Sequence, residues 1–194
     1  MGLSHWDHFL ELEREFARLT RDIGYTSAYY SVHSAELADC IETCCATFHT
    51  TAVLLGKTID PTARLKTIDD CRPVILGRYP HFTSYKIMIP SYNMAVAPWA
   101  DWTATAVPGW WADYRALREN RAAHLRKANY WNAIYATAGL LCGICYYHKA
   151  VYADVCTIHD IQSPRIFIPK QYGDKKPDWA GWCYTLPEEA AAEC

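Results

Sequence analysis

Apolar residues recur at three- and four-residue steps from Leu125 to Cys145, with Ala128, Trp131, Tyr135, Ala138, Leu141 and Cys142 between them. That period lines one face of a helix and predicts a long helix over residues 120–152. A stripe of this kind has to be covered by other elements, so it commits the chain to a packed helical core. Its least polar run, residues 133–147, is shorter than the roughly 20 residues that cross a bilayer, and no membrane contact is expected.

Two further segments share the period. Residues 6–23 place Trp6, Phe9, Leu10, Phe16, Leu19 and Ile23 on one face, with Ser4 as N-cap and Gly24 as the end. Residues 34–55 do the same with Leu37, Ile41, Cys44, Cys45, Phe48, Ala52 and Leu55; Gly56 sits at the C-cap position, with Lys57 and Pro61 beyond. A shorter helix is expected between Pro61 and Gly77, broken near Pro73, and one or two helical turns over residues 110–117. Residues 80–102 change character. Pro80, Pro90, Ser91 and Pro98 punctuate them, and residues 83–89 alternate as a short strand does, so the stretch reads as an extended or β insertion across one end of the bundle. Residues 153–194 read as an irregular tail with a short strand at 165–168. The expected fold is an all-α antiparallel helical bundle over residues 6–152, in a single domain spanning 1–194.

The cysteines number nine. An odd count does not read as a disulfide framework. The first fifteen residues carry Asp7, Glu11, Glu13 and Glu15 rather than the basic-then-apolar layout of a secretory leader. Reduced thiols and a cytoplasmic location are therefore expected. Cys44, Cys45, Cys142 and Cys145 fall in helix interiors, where they serve as small buried hydrophobes better than as zinc ligands, with His148, Cys156, His159 and Cys183 spread beyond them. The Asp69-Asp70 pair reads as a helix cap or a solvated face. Neither a phosphate-binding glycine loop nor a nucleophile elbow or metalloprotease motif is present. No metal and no cofactor are expected.

The net charge of −2 conceals an asymmetry. Residues 112–131 hold five bases (Arg115, Arg118, Arg121, Arg126, Lys127) against two acids (Asp113, Glu119), leaving the window at +3 and the remainder at −5. Trp110, Trp111 and Tyr114 interleave with these charges, as does Tyr130. Guanidinium groups pair with phosphate and rings stack on bases, so Arg115, Arg126, Lys127, Tyr114, Trp110 and Trp111 are candidate nucleic-acid contacts. A solvated helix face with aromatic anchors beneath it has the same composition. His124 follows Arg121 by three residues and falls on the same helical face. An imidazole that titrates near neutrality, beside arginines that hold a phosphate, suits metal-independent RNA cleavage. His124, Arg118 and Arg121 are the candidate catalytic residues.

The segment from Pro108 through Trp110, Trp111, Tyr114, Arg118 and Arg121 into residues 128–141 resembles a group of prokaryotic helical proteins similar to the HEPN superfamily. Tyr30-Ser31, Leu55-Gly56-Lys57 and Ala97–Trp102 resemble that group's earlier helix and linker, so the likeness covers residues 6–152. It implies a four-helix bundle, an endoribonuclease of toxin or phage-defence biology, RNA as substrate, and a homodimer that juxtaposes two active sites. Trp110, Trp111, Tyr114, Arg118 and Arg121 match the group's pattern. Arg115 stands where it has asparagine, and Glu119 where it has histidine. An arginine-to-histidine motif survives as Arg118 and His124, out of register. Either the site has slid along the helix, or the chain is an inactive module that binds a protein partner or RNA.

Overall fold

The computed structural model describes residues 4–23, 27–152, 161–171 and 182–187. Gly24, Cys156, His159 and much of the expected tail lie outside the described residues. The fold is mostly helical with a small antiparallel sheet. In chain order it runs α1 (Ser4–Thr20), α2 (Ala35–Ile59), α3 (Ile68–Arg78), β1 (Ile87–Ile89), β2 (Met94–Val96), α4 (Gly109–Glu119), α5 (Arg121–His124), α6 (Tyr130–Tyr152) and β3 (Ile168–Pro169). The sheet order is β2-β1-β3, with Ile87 opposite Val96 on one side and Pro169 on the other.

The expected 120–152 helix is two helices. Asn120 leaves helical geometry and its side chain accepts from the Ala123 amide at 3.1 Å, which starts α5. A 3-10 turn over Leu125–Lys127 follows. Asn129 then accepts from the Asn132 amide at 2.9 Å and caps α6. Asparagine competes with the helix for backbone partners, so two of them within ten residues reset it. The interruption is held from outside: the Tyr130 amide donates to the Val32 carbonyl at 2.8 Å and the Trp131 amide to the Tyr30 carbonyl at 3.2 Å.

α6 is the central element. Every residue from Ala136 to Tyr146 is buried, so it has no polar face, whereas Trp131 and Tyr135 of the expected stripe stay partly exposed. α2 covers one side of it, and its close approach rests on Gly143. A Cβ there would lie 2.8 Å from the Phe48 ring. One turn earlier, a Cβ on Gly139 would lie 3.0 Å from the Trp110 ring. The Gly139 carbonyl accepts from Trp99 Nε1 at 3.0 Å, and Trp110 Nε1 donates to the Pro98 carbonyl at 2.7 Å.

Other boundaries move for local reasons. Ser34 caps α2, accepting from the Leu37 amide at 3.1 Å. The helix continues through Gly56 to Ile59 and stops before Pro61, which disfavours helical geometry at Asp60. α3 begins only at Ile68, where Thr67 and Asp70 form a reciprocal capping box. Pro73 lies inside α3 rather than breaking it. Residues 80–102 are not an appendage: Phe82, Tyr85, Ile87, Ile89, Trp99 and Trp102 are all buried in the core. The described part of the tail is also structural. Glu13 of α1 is 3% exposed, and its carboxylate accepts the amides of Arg165 at 2.8 Å, Ile166 at 2.8 Å and Phe167 at 2.9 Å. This clasp sets Phe167 against Phe16, ring centroids 5.0 Å apart. Ile161, Phe167 and Tyr184 join the core.

Cys40, Cys44, Cys45, Cys71, Cys142 and Cys145 are free and buried. Burial pushes the Cys71 thiol up to about 11, and those of Cys45 and Cys142 further. Cys183 is disulfide-bonded, which departs from the expectation of reduced thiols throughout. No helix among the described residues is long and apolar enough to cross a membrane.

Two stability predictions follow from buried polar groups. Glu13→Ala removes the acceptor of three amides, that of Phe167 buried and the other two partly so, and should cost about 3 kcal/mol by urea denaturation, with Glu13→Gln costing less because it keeps an oxygen. An unchanged midpoint for Glu13→Ala would remove the clasp from the account. His148 is 2% exposed, its Nδ1 has no partner, and burial brings its pKa down from 6.5 to about 4, with His5 adding to the effect. The unfolded chain then binds the proton first as pH falls. Stability present above pH 6.5 should be lost progressively towards pH 4, by up to about 3 kcal/mol. Denaturation of His148→Met across that window should lack this part of the slope.

Candidate functional site

The outward face of α2 is set by the same period that buries its apolar side. With Ile41, Cys44, Cys45 and Phe48 in the core, Glu42, Ala46, His49 and Thr50 point away from it. α4 packs beside α2 through Trp110, Trp111, Tyr114 and Leu117, which leaves Arg115, Arg118 and Glu119 outside. The start of α3 closes a third side with Lys66, Thr67 and Ile68.

Two adjoining grooves lie between these elements. One, of about 490 Å³, is lined by Lys66, Ile68, Trp111, Arg115, Arg118 and Glu119 among others. The second, of about 580 Å³, is lined by Glu42, Thr43, Thr47 and Thr50 among others. His49, Tyr114 and Arg118 line both and form the ridge they share. The Arg118 guanidinium carbon lies 6.0 Å from the centre of the Tyr114 ring. Burial, first of all, raises the Tyr114 phenol pKa.

The groove wall is pinned by hydrogen bonds. Asp70 accepts from the Lys66 amide at 3.0 Å, the Thr67 amide at 2.8 Å and the Thr67 hydroxyl at 3.0 Å. These bonds favour the carboxylate and hold its pKa below the ordinary value. His49 Nε2 lies 3.0 Å from the Lys66 carbonyl oxygen. A carbonyl only accepts, so in the neutral ring this contact places the proton on Nε2 and the lone pair on Nδ1.

The residues singled out in the sequence separate into distinct roles. Arg118 lines the groove, and no carboxylate among the described residues lies within 4.0 Å of it. Arg115 sits on the rim and donates to Asp69 at 2.8 Å; Asp69 also receives Arg72 at 3.0 Å. Arg121 donates to Asp39 at 2.6 Å and to the Ala35 carbonyl at 2.6 Å, with Glu42 at 3.7 Å, tying α5 to the first turns of α2. Lys127 pairs with Asp113, which also accepts from Asn132 at 2.9 Å, tying α4 to the start of α6. Arg126 is exposed, and it too has no carboxylate within ion-pair distance among the described residues.

His124 and Arg121 line neither of the grooves flanking Arg118. Neither of these two grooves therefore gathers all three candidate catalytic residues. Trp110, Trp111 and Tyr114 are 5%, 4% and 5% exposed. Their faces belong to the core, with Trp99 4.9 Å from Trp110 and 5.6 Å from Trp111, so they offer no open stacking surface. The edges of Trp111 and Tyr114 reach the groove, and Trp111 Nε1 is a buried donor with no acceptor.

The sequence reading missed His49 and Lys66. The helical period could have put His49 on the outer face of α2, but nothing local brings that face beside Arg118. Among the described residues, no group of three or more His, Cys, Asp or Glu side chains is placed to hold a metal. Comparison with family models, curated proteins and solved structures finds no match for this chain.

The division between framework and groove has a measurable consequence. Arg118→Ala should change stability by less than about 0.5 kcal/mol, as exposed substitutions do. Trp110→Ala should cost about 3–5 kcal/mol, because it opens a cavity beside Gly139. Urea midpoints of the two variants decide this, and equal losses would return Arg118 to the framework.

Proposed function

We propose that this chain is a HEPN-like helical protein that binds RNA through the groove between α2, α3 and α4, without cutting it at the Arg118–His124 motif. The observation that carries this reading is the position of Arg118. Of the five bases between residues 112 and 131, Arg115, Arg121 and Lys127 are occupied by Asp69, Asp39 and Asp113. Arg118 alone among the remaining pair stands in a groove, where Lys66 adds a second cation and His49 a third basic group. Guanidinium and ammonium groups without carboxylate partners are available to phosphate.

Binding without cleavage at that motif is supported by three features. Arg121 is held by two acceptors on α2, His124 lines neither groove, and the Glu119 carboxylate on the rim repels a scissile phosphate. One observation favours a second reading. His49, with its proton assigned to Nε2, presents Nδ1 as a base on a residue that shares both grooves with Arg118. That pair is an alternative seat for the expected endoribonuclease chemistry.

The test is fluorescence anisotropy with a single-stranded 20-nucleotide RNA in EDTA. Phosphate contact at Arg118 and Lys66 gives a negative slope of log K against log salt, about −0.7 for each phosphate neutralised on a single strand. Lys66→Ala/Arg118→Ala should weaken binding at least about tenfold and flatten the slope. Absent or salt-insensitive binding would sink the RNA reading. RNA cleavage in EDTA that disappears in His49→Ala and persists in His124→Ala would move the conclusion to the second reading.

A further inference from the structure

Each half of the groove carries one carboxylate among its basic residues. Glu42 lines the α2 half and Glu119 the α3 half, while Arg118 and His49 line both. Lys66 lines the α3 half alone, as does Arg115, which is paired with Asp69. A continuous polynucleotide carries one negative charge per residue. Threaded through both halves, it would bring further phosphates into halves that each hold a carboxylate, Glu42 or Glu119. Repulsion between like charges disfavours that pose in both halves. A single phosphate with no neighbours keeps the attraction of Arg118 and escapes that repulsion.

The α3 half suits what such a phosphate would carry. Its volume of about 490 Å³ is within the range of small-ligand sites. Ile68, Trp111 and Tyr114 provide an apolar and aromatic lining. Glu119, which repels a second phosphate, is also a good acceptor for sugar hydroxyls. The wall is pre-formed, since Asp70 fixes the Lys66–Thr67 backbone and the Lys66 carbonyl fixes His49. A rigid wall of this kind lowers the ordering cost of binding.

We propose that the groove is a site for one phosphate monoester attached to a nucleoside: the terminal phosphate of an RNA strand, or a free mononucleotide. Recognition of a strand end rests on the RNA reading above. Recognition of the monoester does not. In the bound state the phosphate lies between Arg118 and Lys66, and the nucleoside occupies the half bounded by Trp111 and Glu119.

The experiment compares one 10-nucleotide RNA in three forms (5′-phosphate, 3′-phosphate and hydroxyl at both ends), together with a nucleoside 5′-monophosphate and the bare nucleoside, by isothermal titration at fixed salt. One or both phosphorylated strands should bind at least tenfold tighter than the hydroxyl-ended strand. The mononucleotide should compete and the nucleoside should not. Arg118→Ala should erase the preference. Glu119→Gln should narrow it by improving binding of the hydroxyl-ended strand, an effect that loss of folding cannot imitate. Equal affinity for all three strands overturns the end-recognition proposal and leaves the RNA reading standing. Mononucleotide binding without strand binding upholds the monoester site and overturns the RNA reading. Failure of every phosphate ligand overturns both.

Discussion

The fold depends on how closely α2 and the aromatic cluster approach α6. Gly139 and Gly143, one turn apart, remove the side chains that would hold neighbours away, and Phe48, Trp99 and Trp110 fill the space. Phe48 and Trp99 stack with centroids 4.1 Å apart, and the Trp99 indole is anchored on the Gly139 carbonyl. Each such ring buries a large apolar area, so this cluster accounts for much of the hydrophobic stabilisation. It also fixes where α4 lies. Trp110 and Trp111 are both bound into the cluster, and their helix has no freedom to turn. Arg118, two turns further along the same helix, is therefore delivered to the groove by packing around Gly139.

The basic segment illustrates how tertiary structure spends charge. Exposed ion pairs contribute between about 0 and 1 kcal/mol each, so the Arg115, Arg121 and Lys127 pairs do not decide stability. Their effect is on availability. A guanidinium that already has two acceptors in good geometry, as Arg121 has, exchanges them for phosphate at a loss. The window that reads as +3 along the chain presents far less unpaired charge in space, and what remains in a groove is concentrated at Arg118. The same logic makes Glu42 and Glu119 informative, because an acid in each half of a basic groove weighs against a second phosphate there.

Much of the fold was legible in the sequence, and the exceptions have physical causes. The stripes of α1 and α2 were readable because each helix has one solvent face, so burial imprints a period on the residues. α6 has no such face, and its buried residues run continuously from Ala136 to Tyr146; the period that suggested one long helix gave the right element with the wrong surroundings. Asn120 and Asn129 carried the signal for its interruption. The role of Glu13 was not legible, because a carboxylate on an acidic helix looks solvated until three amides from a segment 152 to 154 residues away close on it. For the candidate site, Arg118 was legible as a cation on an exposed helical face, and Arg121 and His124 were grouped with it by spacing alone.

The sequence by itself determined the helical character, the faces of α1 and α2, and the concentration of basic residues between positions 112 and 131. Those properties are local: they follow from spacing, capping and composition within a few turns of chain. Tertiary structure decided which of the bases are paired, that Trp110, Trp111 and Tyr114 belong to the core, and that His49 and Lys66 are Arg118's companions. Ion pairing and groove formation depend on distances between residues far apart in sequence, and those distances are set by the packing of α2, α3 and α4, which no single segment encodes.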